Sequence, residues 1–437
     1  MPFPSGTGCH IEGINMTDKP VKLGVIGIGV GAAEMLPPME NAEFIDLFAG
    51  ADINADVRKR FGERYTDARV FESAEALGQD PDVEAVWIST PNMYHAPMTI
   101  LAAEHGKHVV VEKPMALDMK QAEDMVEACD RNGVHLIAGH TQSFGAHIRL
   151  MRQIVNSGRI GKLGAINAIA YTDWMIRPRT WEELDPAQGG GMVYRQTPHQ
   201  IDSIRSIGGG KIRNVRGTAA QWMPERSIPG YYSAFMEFEN GVPAVAIHNG
   251  YGYFLGSELV PWGDANTRYT PEQRNEIKRQ MREGTRKEDA EKLSLRIGGE
   301  GERLIFRGEM QEVKPWKPND LGIVVVSCER GEIRQSPQGI FLYEDDGVKE
   351  LVLDGRPQAR DAELRELFNA VRLNKPVFHS GQWGMATLEV GLAINESTKT
   401  HKQIELTHQV EMPPGYEEAY PVDVIEERVV ENTMVIT

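Results

Sequence analysis

Val21-Lys22-Leu23-Gly24-Val25-Ile26-Gly27-Ile28-Gly29-Val30-Gly31-Ala32 is the stretch that decides the fold. An apolar run of strand length ends in a glycine-rich turn, and a helical pattern opens directly after it. Gly27, Gly29 and Ala32 stand at the three positions of a dinucleotide turn, where alanine is allowed at the third. The first glycine makes the tight turn, and the second lets a pyrophosphate approach the backbone. The helix N-terminus then offers amides and a positive dipole end to the anion. Any glycine turn between strand and helix shares part of this pattern. What singles this one out is Asp52, about 25 residues on, at the end of the next apolar run from Phe44 to Ala51. There a carboxylate accepts hydrogen bonds from an adenosine ribose and repels a 2′-phosphate. The expectation is NAD, bound through Gly27, Ile28, Gly29, Val30 and Asp52; Arg58 lies too far along the next helix to serve as a phosphate ligand.

Outward from this turn, strand and helix patterns alternate. The helix that starts at Ala32 is predicted to be cut short near Met39 by Pro37-Pro38. Helices follow over Asn54–Gly62, Met98–His105 and Met119–Arg131, and strands over Val83–Ser89, Val109–Val111 and Val134–Ala138. Such alternation predicts right-handed crossovers in an α/β, doubly wound parallel sheet of Rossmann type over residues 20–141, with ligands at the carboxyl ends of its strands. Residues 1–19 read as a flexible extension. Near Thr141 the pattern changes. After a helix over His147–Asn156, strands dominate: Ala165–Thr172, Asn214–Gln221, Tyr231–Phe238, Pro243–Gly250, Leu293–Gly298 and Arg303–Arg307. Asn240-Gly241 is a hairpin signal. Two helices, Asp361–Leu373 and Trp383–Thr398, come late. This predicts an α+β domain over 142–410 with a largely antiparallel open sheet, and a tail over 411–437. Residues 251–293 look inserted. Thr270-Pro271-Glu272-Gln273 is a capping box, and the helix after it is charged nearly all round and broken at Gly284. A polar helix of this kind reads as a solvated surface elaboration; the sharper reading is a flap over the site or a subunit contact.

Composition sets bounds. A chain of 437 residues, 41% hydrophobic and 25% charged, suits a soluble globular protein of two or three domains. Its net charge of −16 argues against nucleic-acid and membrane partners, and means that an anionic small molecule needs a local cluster of cations. Cys9, Cys129 and Cys328 are few, odd and widely spaced, as expected of thiols in a reducing cytoplasm. Met1 to Lys19 lack the basic start and apolar core of a signal peptide, and no run approaches membrane-spanning length.

The chemistry gathers at strand ends. Val109-Val110-Val111-Glu112-Lys113-Pro114 reads as a buried strand ending in a charged pair and a proline. A lysine there, beside a nicotinamide, is a natural proton-transfer group, which makes redox chemistry on an alcohol or ketone the leading idea. Ser89, Thr90, Asn92 and His95 end the preceding strand and would line the nicotinamide side of the crevice; an ordinary Pro-Asn turn is the plainer reading. His140 ends the fifth strand, as a substrate or nicotinamide contact or as a hinge residue. His105 and His108 have no acidic or cysteine partner at ligand spacing, so no metal is expected.

Thr90-Pro91-Asn92-Met93-Tyr94-His95, Gly106-Lys107-His108 running into Glu112-Lys113-Pro114, and then Gly189-Gly190-Gly191 with His199 together resemble the Gfo/Idh/MocA oxidoreductase family, from about Val21 to about Leu406. The resemblance implies an amino-terminal Rossmann domain and a carboxy-terminal domain whose open sheet often mediates oligomers, here a homo-oligomer, dimer or tetramer. It implies that Glu112 and Lys113 meet the cofactor, that Lys113 also contacts substrate, and that His199 is the acid-base residue. One position departs. Relatives that act on sugars and inositols usually carry an aspartate four residues after the triple glycine, where this chain has Arg195. Aspartate accepts from hydroxyls; arginine only donates, and favours carboxylates. Asp202, three residues after His199, would either orient the imidazole or brace its helix.

Trp174-Met175-Ile176-Arg177-Pro178-Arg179-Thr180-Trp181 adds two arginines between tryptophans, a combination suited to a flat anionic ring. The alternative is a loop whose arginines pair with Glu182, Glu183 and Asp185. With Tyr194-Arg195-Gln196-Thr197-Pro198-His199, Val326-Ser327-Cys328-Glu329-Arg330-Gly331 and Trp383-Gly384-Met385-Ala386, the chain resembles the family branch that contains phthalate cis-dihydrodiol dehydrogenases. The expected activity is NAD-dependent oxidation of a ring hydroxyl on a carboxylated cis-dihydrodiol to a catechol, a step of aromatic catabolism. Lys113 and His199 would be catalytic, and Arg177, Arg179, Arg195, His140 and Trp174 would hold the substrate. A sugar or cyclitol dehydrogenase of the same family, and a non-enzymatic NAD-binding regulator, are the other readings.

Overall fold

In the computed structural model, residues 19–139, 142–262, 269–299, 315–354 and 359–430 are described. His140 and the expected strand Arg303–Arg307 lie outside them. The first apolar run is β1 (Val21–Ile26), and the chain continues through α1 (Val30–Asn41), β2 (Ile45–Ala51), α2 (Ala55–Arg64), β3 (Arg69–Phe71), α3 (Ala74–Gly78), β4 (Ala85–Ile88), α4 (His95–Glu104), β5 (His108–Val111), α5 (Met119–Asn132) and β6 (Leu136–Ala138). The six strands are all parallel, in the order β3-β2-β1-β4-β5-β6. This is the doubly wound order whose direction reverses at β1 and β4, and a crevice opens at the carboxyl ends there. The strands are apolar on both faces because helices cover both: β4 and β5 are buried almost throughout.

The second domain opens with α6 (Ala146–Ser157), β7 (Leu163–Tyr171), α7 (Met192–Gly208), β8 (Ile212–Ala220), β9 (Tyr231–Phe238) and β10 (Pro243–Asn249), followed by α8 (Pro271–Glu283) and α9 (Glu288–Ser294). It continues through β11 (Ile323–Cys328), β12 (Gly331–Gln335), β13 (Gly339–Glu344), β14 (Gly347–Leu353), α10 (Ala359–Leu373), α11 (Gly381–Thr400), β15 (Ile404–Glu405), α12 (Tyr416–Ala419) and β16 (Val424–Val429). Ten strands form one sheet in the order β15-β8-β9-β10-β7-β11-β12-β13-β14-β16, antiparallel except where β10 meets β7. The expected hairpin forms at Asn240-Gly241, with Gly241 at φ +85° and Asn240 Oδ1 accepting from the Val242 amide at 3.1 Å. α7 packs across β7, β9 and β10 on one face of the sheet.

Several expectations need correction. α1 does not stop at Pro37-Pro38 but runs on to Asn41. Met35, Leu36 and Met39 are buried in the first domain's core, and that packing outweighs the loss of two backbone donors. Leu293–Gly298 is not a strand: it is the end of α9 and an irregular segment, with Ile297 buried against the first domain. The segment expected as a tail supplies β16, which pairs with β14, and Tyr420 donates to Glu366 at 3.1 Å. α10 returns to the first domain, where Leu364, Leu367 and Phe368 join its core.

Candidate active site

A cleft of about 1000 Å³ runs from the glycine turn to α7. Its cofactor half is built by local backbone geometry. Gly27 sits at φ +85°, and a Cβ there would lie 2.8 Å from the Thr90 backbone nitrogen, so only glycine fits. Gly29 has open space where a Cβ would be, on the side that faces the cleft, and no side chain caps the helix that starts after it. The amides of the first turn are therefore available to a diphosphate. Ser89 Oγ donates to the Gly27 carbonyl at 2.7 Å and pins the turn to β4. Asp52 accepts from the Ile28 amide at 2.9 Å and the Asn54 amide at 2.8 Å. Those two bonds aim its carboxylate at the cleft and leave lone pairs for a ribose. Thr90 Oγ1 is buried at the cleft without a partner. These features fit a dinucleotide. Arg58 bonds the Asp52 and Ile53 carbonyls instead of facing a phosphate.

Lys113 stands two residues past the end of β5, with a cis peptide to Pro114, and its ammonium group donates to the Arg195 carbonyl at 3.3 Å. Burial, reinforced by the Arg195 guanidinium, lowers its pKa to about 8. Glu112 faces Arg360, the second residue of α10, at 3.5 Å. His95 is 1% exposed, and its ring nitrogens face the carbonyls of Pro114 at 2.7 Å and Thr90 at 2.9 Å, so it ties the end of β5 to the end of β4 from beneath the cleft. Asn92 donates to the Gly189 carbonyl at 3.0 Å and accepts from Arg195 at 3.3 Å, linking the first domain to the triple glycine.

The triple glycine is needed because the chain folds back on itself. A Cβ on Gly190 would lie 2.6–2.7 Å from backbone atoms of Glu183 and Asp185. That close approach places Glu183 beneath α7, which carries Arg195 and His199 to the cleft. Asp202 accepts from Trp383 Nε1 and Thr387 Oγ1, so it joins α7 to α11. Of the two readings for Asp202, bracing is the one realised. His105 meets Glu75 at 3.1 Å, and His108 stacks on His135.

The arginines divide. Arg177 is committed to acids, with Nε 2.8 Å from Asp173 and a two-point contact to Asp320 at 2.8 and 3.1 Å. Burial opposes ionisation of Asp320, yet Arg177 outweighs it and holds the carboxyl far below the usual range. Arg179 lies 3.8 Å over the Trp174 ring and donates to Glu183 at 3.1 Å; burial lowers its pKa to about 10. Arg179 thus makes the Glu183 pair of the alternative reading, whereas Arg177 pairs with Asp173 and Asp320 in place of the acids expected; both line the cleft, and one face of the buried Trp174 is already taken. Arg195 differs. It reaches Glu183 at 3.1 Å while its side chain keeps 24% exposure. Lys292, from α9, reaches the same Glu183 at 2.8 Å. Burial opposes the Glu183 charge, but Arg195, Arg179 and Lys292 together hold its pKa well below the ordinary value. Three cations therefore share one buried carboxylate, and Arg195 and Lys292 present spare donors to the cleft.

Sequence reasoning missed Lys292, Asp320, Arg296 and Arg360, all of which line this cleft. Of the two readings of the insert, surface elaboration and flap over the site, the second is nearer for its end, where Lys292, Leu295 and Arg296 form part of the wall. Asp320 had one signal, the Pro318-Asn319-Asp320 turn ahead of the apolar run of β11. Lys292 had none, because a polar helix facing a polar cleft has the same pattern as one facing water.

Comparison with known proteins agrees with this geometry. Residues 21–140 match the model of the "oxidoreductase family, NAD-binding Rossmann fold", and residues 148–251 that of the "GFO/IDH/MocA C-terminal domain". A 1-carboxy-3-chloro-3,4-dihydroxycyclohexa-1,5-diene dehydrogenase of Comamonas testosteroni is 31% identical over 391 residues, 87% of this chain and 95% of that protein. A levoglucosan dehydrogenase of Pseudarthrobacter phenanthrenivorans is 30% identical over 188 residues, 41% of this chain and 46% of its own length. A solved structure from Bordetella bronchiseptica RB50, with a provisional description as a dehydrogenase, superposes with a TM-score of 0.80 at 33% identity, over 89% of this chain and all of the other.

Proposed function

Since this chain belongs to the Gfo/Idh/MocA family of NAD-dependent oxidoreductases, we propose that it oxidises a ring hydroxyl of a carboxylated cis-dihydrodiol to give a catechol. The observation that carries the reading is Arg195 in the cleft, where sugar-handling relatives usually hold an aspartate, with Lys292 beside it on Glu183. A carboxylate placed against Arg195 and Lys292 gains charge-assisted hydrogen bonds from donors that Glu183 does not saturate. The dihydrodiol dehydrogenase among the relatives supports the same substrate class.

NAD, held by the Gly27–Gly29 turn and Asp52, would supply the hydride acceptor for the carbinol carbon. Lys113 takes the hydroxyl proton; with a pKa lowered to about 8 it is partly neutral near pH 7 and can act as a base. His199, which α7 carries to the same cleft, relays that proton. The ketone so formed tautomerises to the catechol, and aromatisation makes the oxidation favourable. Asp52 selects NAD over NADP by accepting from the ribose and repelling a 2′-phosphate. A cytoplasmic setting and a homo-oligomeric state belong to the same reading, supported by the free thiols of Cys129 and Cys328 and by the open sheet of the second domain.

A second reading has its own support. Asp320 keeps a carboxylate in the cleft although position 195 is arginine, and a carboxylate there accepts from sugar hydroxyls. The levoglucosan dehydrogenase relative points the same way. An NAD-reduction assay over aromatic cis-dihydrodiols and polyols decides between them. Turnover of a carboxylated dihydrodiol with release of a catechol is the expected result; turnover of neutral polyols alone replaces it with the second reading.

A further inference from the structure

We infer that residues 286–299 form a strap across the bound dinucleotide and that Arg296 is a ligand for its diphosphate, a contact outside the glycine turn. The strap is anchored in both domains. At its start, Arg286 donates to the Ile176 carbonyl at 2.7 Å, Glu288 accepts from Arg226 at 2.8 Å and from the Arg179 amide at 3.0 Å, and Lys292 meets Glu183. At its far end Ile297 is 1% exposed, buried in the first domain's core cluster with Val57 and Phe61. Arg60 of α2 donates to the Ile297 carbonyl at 3.2 Å, and Gly298, at φ +69°, lies so near Arg60 that a Cβ would be 3.0 Å from its Cδ.

Between these anchors Leu295 and Arg296 line the same cleft as Gly29, Val30, Asp52 and Asn54. Among the described residues no acid pairs with Arg296, whose guanidinium is partly exposed to the cleft. Asp52 is already held by two backbone amides. The anion this cleft is shaped for is the dinucleotide's diphosphate, facing the uncapped start of α1. A guanidinium lining the same cleft, and set beside α2 by the Ile297 anchor, can pair with phosphate oxygens through two parallel donors. Because Ile297 must leave an apolar core before the strap can lift, release of the reduced cofactor after each oxidation is slow and limits turnover. The inference concerns the cofactor alone and does not depend on which substrate is oxidised.

The test uses the intact protein with Arg296→Gln and, separately, Ile297→Ser. Affinities for NAD, ADP-ribose and adenosine are measured by calorimetry, and NADH release by stopped-flow fluorescence. Loss of a charge-assisted pair predicts a weakening of about ten- to hundredfold for NAD and ADP-ribose in Arg296→Gln, with adenosine unchanged. Ile297→Ser, which keeps the arginine, speeds NADH release several-fold. Unchanged ADP-ribose affinity overturns the assignment of Arg296, as does an equal loss for adenosine and ADP-ribose. Unchanged NADH release in Ile297→Ser overturns the strap.

Discussion

Burial, with the Arg195 guanidinium close by, brings the Lys113 pKa down to about 8, and this has a consequence in the pH profile. The neutral amine is the base, so kcat/KM for oxidation rises with pH and levels off above about 8. Removing a neighbouring cation favours the ammonium form, so Arg195→Gln moves that limb to higher pH. A limb that stays in place assigns it to another group. Lys113→Ala keeps NAD affinity, since the glycine turn is untouched, and loses turnover on the order of 10²–10⁴; parental turnover in this variant removes Lys113 from the mechanism. Arg195→Asp puts a carboxylate against Glu183 and the substrate together. Its kcat/KM falls far more for carboxylated than for neutral ring diols, and Lys292→Gln shows the same selectivity more weakly. Arg177 and Arg179 are held by Asp320, Asp173 and Glu183, so their removal harms both substrate classes alike. Equal losses for Arg195→Asp would move Arg195 into that supporting group.

At the scale of elements, what could be read from the sequence is what local geometry dictates. The β1 turn, the Asn240-Gly241 hairpin and the strand leading to Lys113 announce themselves because glycine, asparagine and apolar runs constrain the chain over a few residues. The Rossmann order and the mostly antiparallel second sheet follow from such signals. The continuation of α1 through two prolines does not, because its cause is burial of Met35, Leu36 and Met39 by partners distant in sequence. The same holds for Asp320 and Lys292, which reach the cleft from the turn before β11 and from α9, and for the commitment of Arg177 to an acid 143 residues away. The two turn glycines separate folding from binding. Gly27→Ala forces a Cβ against Thr90 at a positive φ, so it lowers Tm and weakens NAD together. Gly29→Ala has room in the free protein, so its Tm is unchanged and its NAD affinity falls. Thermal melts with cofactor titrations check both; a destabilised Gly29→Ala would contradict the open space at that position.

At the scale of the whole molecule, the ten-stranded sheet has one face packed on helices and another that is open. Along the middle strands the residues pointing away from α7 include Ile169, Val245, Ile247 and Val325, half-buried, and Phe235 is 48% exposed. Although Asn167 and Ser233 interrupt it, a sheet face with this many half-exposed apolar side chains is expected to be covered by a second copy of the chain. Light scattering should give the mass of two or four copies, and Val245→Arg should shift it toward one; a monomer in both cases contradicts the expectation. The central claim concerns the cleft between the two domains, where the family's cofactor site meets Arg195 and Lys292. The measurement that tests it most directly is the ratio of kcat/KM for NAD reduction with a cis-dihydrodiol bearing a ring carboxylate to that with the same diol lacking it. One charge-assisted contact predicts a ratio of about ten to one hundred in favour of the carboxylated substrate. A ratio of one or below would contradict the account.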